Sequence, residues 1–111
     1  MIFKFSDTDT EAQGNSLVRK RIITQTHTEQ ISLTWAFMYG AHEKVVNDLS
    51  DRAYFIIAGE GNFEVGDEKG SVNGGDVVLI PKGVPYAFDG HITYVVINAP
   101  GFVPGSDHAV R

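Results

Sequence analysis

Four histidines, His27, His42, His91 and His108, are the side chains best suited to proton transfer or metal binding near neutral pH. Protein zinc and iron sites gather closely placed imidazoles, and no two of these four form an HXH or HXXXH pair. All four therefore read as ordinary surface or loop residues. Cysteine is absent, which excludes disulfides, thiolate metal sites and cysteine nucleophiles. A different chemistry is offered by "IPKGVPYAF" (80–88), where a phenol, Tyr86, follows a proline and a glycine. Tyrosine supplies a hydrogen-bonding hydroxyl and a flat wall, and it is a poor metal ligand while its proton stays on, with a reference pKa near ~10.

These groups sit among strand signals. "ISLTWAFMY" (31–39) alternates strictly, with Ile31, Leu33, Trp35, Phe37 and Tyr39 on one face. That period of two predicts a strand, and the larger side chains are expected inside. "LVRKRIITQT" (17–26) is its expected partner, joined through the polar "HTEQ" (27–30). "AYFIIAG" (53–59) and "NFEVG" (62–66) flank "EG" (60–61), read as a hairpin. "GGDVVLIP" (74–81) and "HITYVVINAP" (91–100) are rich in β-branched residues and bounded by turn formers. No helical period stands out. The grammar is that of an all-β sandwich or barrel.

Length and composition bound the rest. The 111 residues fit one domain, with 1–16 an N-terminal arm or loop, 17–100 the barrel and 101–111 a C-terminal tail. The net charge is −5, and the one dense basic stretch is "RKR" (19–21), so nucleic-acid binding is not expected. No apolar run approaches the ~20 residues that span a bilayer, and the start lacks a signal peptide's apolar core. The expectation is a cytoplasmic protein with no membrane association. Strands 54–57 and 92–97 are apolar on both faces. A second subunit or the N-terminal strand must cover the outer one, and a homodimer is expected.

The glycine and proline spacing narrows the fold. The chain resembles the cupin family, whose second motif is G(X)5PXG(X)2H(X)3N: Gly75, Pro81 and Gly83 stand at its intervals, with Tyr86 and Gly90 in the histidine and asparagine slots. The first motif, G(X)5HXH(X)3E(X)6G, begins at Gly40 and ends at Gly59, with Val46, Asp48 and Arg52 in its ligand slots. The likeness covers about residues 30–100 and implies an antiparallel double-stranded β-helix, the jelly-roll barrel. Every ligand is replaced. Val46 has no lone pair, Arg52 brings a cation to the metal's place, and Asp48 alone cannot hold a divalent ion. No metal and no cofactor are expected. A rearranged site built on His42, four positions before the first ligand slot, stays open.

The resemblance implies that Val46, Asp48, Arg52 and Tyr86 point into the barrel; a buried guanidinium cannot stay unpaired, and Asp48 is its expected counter-charge. Tyr54, Phe88 and Trp35 are the aromatic walls expected around them. Two functions compete. One is a metal-free cupin binding a small polar or anionic molecule in the barrel pocket. The alternative is a metal-independent isomerase, epimerase or lyase acting on a sugar or keto acid, which needs a base near neutral pH. No histidine falls on a position that the strand pattern places inside, so the catalytic residues are unknown and binding is the first reading. An iron-dependent cupin dioxygenase ranks third.

Overall fold

The computed structural model describes residues 1–110. After one 3-10 turn at Phe5–Asp7, the described residues form eight strands: β1 (Glu11–Gln13), β2 (Leu17–Ile23), β3 (Ser32–Asn47), β4 (Asp51–Val65), β5 (Glu68–Asn73), β6 (Val77–Ile80), β7 (Tyr86–Ala99) and β8 (Asp107–Ala109). All pairings are antiparallel, in the order β1-β2-β3-β7-β4-β5, with β6 against β4 and β8 against β3. Among the described residues, no helix is long and apolar enough to cross a membrane.

The long strands β3, β4 and β7 each serve two sheets. The first half of β3, the second half of β7 and the first half of β4 lie between β2 and β6. Their other halves lie between β8 and β5. The change of sheet falls on a row of glycines, since Gly90 is opposite both Gly40 and Gly61. A side chain at Gly90 would overlap the Glu60 carbonyl, and one at Gly61 would overlap the Asp89 carbonyl. Backbones this close admit only glycine. For the same reason, "EG" at 60–61 is not a hairpin. β4 runs straight through it, and the chain turns after Val65 instead.

The barrel interior is filled by Met38, Tyr54, Ile56, Phe63, Ile92, Tyr94 and their neighbours. The face expected inside on β3 is the outer one. Ser32, Ala36 and Met38 are buried, whereas Phe37 and Tyr39 are 41% and 72% exposed. The alternation is present with its sense reversed, because β7 supplies the bulk. Ala36 sits opposite Tyr94, so a small residue on β3 makes room for a large one, while Met38 and Ile92 fill the next position together. Trp35 therefore leaves the pocket and packs edge-on against Phe5 outside, centroids 5.0 Å apart. Phe55, Val77, Leu79 and Ile97 also stay exposed on this outer face, in register across β6, β4 and β7.

Candidate functional site

A bulge on β3 decides which residues enter the barrel. Pairing with β7 runs in step from Ser32–Asn98 to His42–Phe88, then resumes at Val45–Tyr86. One extra residue on β3 exchanges its faces from there on. Val45 and Asn47 are buried, while Asp48 is exposed at the β3–β4 turn. Asp48 is thus not the partner of Arg52.

Asp107 takes that place. Arg52, 5% exposed, donates from Nε to Asn98 Oδ1 at 2.8 Å and from Nη1 to the Tyr86 hydroxyl at 2.6 Å. Nη2 reaches Asp107 Oδ1 at 2.7 Å and Nη1 reaches its Oδ2 at 3.3 Å. Asn47 Nδ2 donates to the same Asp107 Oδ1 at 2.9 Å. Asn47 is itself fixed, because its Oδ1 accepts the N–H groups of Leu49 and Ser50 in the turn. Burial works against the guanidinium charge, but the tyrosine oxygens and Asp107 more than offset it, so Arg52 stays a cation. Four of its five N–H donors are committed inside the protein, which makes it a fixed charge rather than a free hook.

The two tyrosines extend this network. Their hydroxyls lie 2.7 Å apart, and either can be the donor. Tyr86 already accepts from Arg52, so the pair shares one hydrogen and retains one hydroxyl hydrogen with no protein acceptor. Burial raises both phenol pKa values; Arg52 pulls each back only in part. Both phenols are neutral donors at physiological pH.

His42 joins them from β3. Its ring stacks on Phe88 at 4.7 Å and on Tyr86 at 5.7 Å between centroids. Burial pushes its pKa below the ordinary 6.5, only partly opposed by the Glu43 carbonyl and Asp107. Nδ1 lies 2.7 Å from the Glu43 carbonyl oxygen. A carbonyl can only accept, so Nδ1 carries the proton and Nε2 keeps the lone pair. His42 is therefore a neutral base of defined tautomer, not a surface loop residue.

These groups line one cavity of about 100 Å³: His42, Arg52, Tyr54, Tyr86, Tyr94 and Asp107. That is room for several ordered waters or for part of a small ligand. The cavity shares Arg21, Thr34 and Phe102 with an outer groove of about 660 Å³ beneath the N-terminal segment. Of the residues singled out in the sequence, Arg52, Tyr54, Tyr86 and Phe88 are brought together, while Asp48 and Trp35 are not. Sequence reading missed Asn98 and Asp107, and held His42 open only as part of a rearranged metal site. The donor set does not suit a cupin metal, because Val46 and Asp48 lie beyond the bulge and a guanidinium fills the centre. Among the described residues, no three or more His, Asp or Glu side chains converge as metal ligands.

No protein-family model matches the chain, and no curated protein matches it. Solved structures do. A tyrosine-to-phenylalanine variant of Streptomyces PAC13 with uridine is 16% identical with a TM-score of 0.86, over 100% of this chain and 90% of that one. PAC13 is described as a unique nucleoside dehydratase, and it is also solved with uridine as a histidine-to-glutamine variant and a second tyrosine-to-phenylalanine variant. KdgF from Halomonas sp. is 14% identical with a TM-score of 0.80, over 90% of this chain and 93% of that one. Oxalate decarboxylase from Bacillus subtilis is 19% identical with a TM-score of 0.83, over 97% of this chain and 31% of that one. At these identities the likeness is one of fold: the chain folds as a jelly-roll barrel of the kind that these cupin-fold structures share.

Proposed function

We propose that this protein is a metal-independent lyase that removes water from a small, oxygen-rich substrate carrying a carbonyl group, such as a sugar, a keto acid or an oxidised nucleoside. The observation that carries this reading is His42, a neutral imidazole of fixed tautomer lining the same cavity as two hydrogen-bonded phenols. A binding protein needs only the cavity. A base held ready beside acidic hydrogens is what proton abstraction requires. The PAC13 variants alter one histidine and two tyrosines, the residue types that meet here. That likeness supports the reading without carrying it.

In the proposed reaction, His42 Nε2 takes the proton from the carbon next to the carbonyl. The electron pair moves onto the carbonyl oxygen, which receives the unshared hydroxyl hydrogen of the Tyr54–Tyr86 pair. The fixed Arg52 charge, 2.6 Å from the Tyr86 oxygen, favours negative charge developing there. As the carbonyl re-forms it returns that hydrogen to the tyrosine pair, a carbon–carbon double bond forms and the β carbon–oxygen bond breaks. The departing hydroxide takes the imidazolium proton and leaves as water. Catalysis is expected to follow the neutral form of His42. With a candidate substrate in hand, kcat/KM should rise with pH through a pKa below 6.5 and level off by neutrality. A rate that falls as pH rises across about pH 5–7 contradicts His42 as base.

A homodimer is also proposed, with a second copy covering the outer face of Phe37, Phe55, Val77, Leu79 and Ile97. A solvated sheet face normally alternates with polar residues, and this one stays apolar across four strands. A patch that is its own partner closes around a two-fold axis. Sedimentation at micromolar concentration is expected to give the mass of two chains, and Phe55→Glu the mass of one. A wild-type monomer overturns the proposal.

A further inference from the structure

We infer that Arg19 and Arg21 form an anion subsite at the mouth of the cavity, and that Glu11 occupies it in the free protein as a stand-in for an acidic group of the substrate. The inference rests on the reading that the cavity takes a small substrate. It goes further by requiring that substrate to be an anion, a carboxylate or a phosphate ester.

The two arginines are next-but-one neighbours on β2, share its inner face and line the cavity. With Arg52 they place three guanidinium groups around a lining whose one carboxylate is Asp107. This concentration of positive charge stands in a chain whose net charge is −5. Arg52 and Asp107 neutralise each other, so the unbalanced charge lies with the β2 pair.

Glu11 bridges that pair. Arg21 Nε donates to its Oε2 at 2.8 Å, and Arg19 Nη2 lies 3.7 Å from its Oε1. The second contact is too long for a hydrogen bond. Arg19 Nε is buried and has no hydrogen-bond partner, a deficit that an incoming oxyanion would correct. Glu11 is also held loosely. It is part of a three-residue edge strand paired only with β2, and its side chain is 36% exposed. A carboxylate there costs little to displace. Bidentate guanidinium groups suit carboxylate and phosphate alike.

The test is calorimetric titration of the full-length protein with matched pairs of probes: uridine and uridine 5′-monophosphate, and glucose and glucuronate. In each pair the anion is expected to bind more tightly, and the pair with the larger gain identifies phosphate or carboxylate as the group preferred. Arg19→Gln should weaken anion binding about 10- to 100-fold while leaving the neutral probes unchanged. Glu11→Gln should tighten anion binding up to about fivefold, since it removes the competitor. Thermal melts establish that both variants are folded, and Arg19→Lys, which keeps the charge, should recover part of the affinity. Equal affinity for neutral and charged probes, or an Arg19→Gln variant with undiminished anion binding, overturns the subsite. His42→Gln should leave the anion preference intact. Anion preference without turnover of any substrate would retain the subsite and remove the lyase reading.

Discussion

His42→Gln is expected to abolish most turnover, by about 100- to 10,000-fold, and to leave the melting temperature nearly unchanged. Glutamine keeps a similar reach and can still donate to the Glu43 carbonyl, so the β3 bulge should survive. It offers no lone pair basic enough to take a carbon-bound proton. Binding of substrate should change little, because His42 contributes stacking on Phe88 and Tyr86 rather than a charged contact. The combination of lost kcat, retained affinity and retained fold is specific to a base. A loss of stability matching the loss of rate would instead make His42 a packing residue.

The second large effect is on stability. Arg52→Leu should destabilise the fold by about 3–5 kcal/mol, because it strands Asp107 and removes the donor that holds both Asn98 and Tyr86. Adding Asp107→Asn should recover part of that loss, since no carboxylate is then left without its cation. Asp48→Asn should be neutral within about 0.5 kcal/mol, as expected of an exposed turn residue away from the network. Chemical denaturation of these variants and of Asp107→Asn alone, beside the wild type, separates these outcomes. Where the single variant is too unstable to purify, Arg52→Lys keeps the charge, loses the fork and should fall between. If Asp48→Asn destabilised the protein and Asp107→Asn did not, the assignment of the counter-charge to β8 would be wrong.

The strands and the scaffold glycines were legible because both are written locally. The alternation in 31–39 and the intervals among Gly40, Gly59, Gly75, Pro81 and Gly83 need no knowledge of distant residues. What sequence could not supply was which face of β3 turns inward. Either parity carries apolar residues, and the choice is made by β7, which places Tyr94 opposite Ala36. Had the smaller face been taken as the inner one, Ser32, Thr34, Ala36, Met38, Gly40 and His42 would have fallen in line, and the base with them. The bulge after His42 has no signature of its own, so the ligand slots at Val46 and Asp48 looked intact. Asp107 was out of reach for another reason. It stands 55 residues from Arg52, in a segment read as a tail, and only the pairing of β8 with β3 brings it in.

His42 is proposed to remove a carbon-bound proton without a metal. The direct measurement is proton exchange in heavy water, followed by nuclear magnetic resonance and mass spectrometry with chelator-treated protein. Uronic acids, keto acids and carbonyl-bearing nucleosides serve as the probes. Wild-type protein is expected to exchange the hydrogen next to the carbonyl of at least one probe, with loss of water from that same molecule. His42→Gln is expected to do neither at a comparable rate. Exchange that persists undiminished in His42→Gln, or that vanishes on chelation and returns with added metal, would contradict the account.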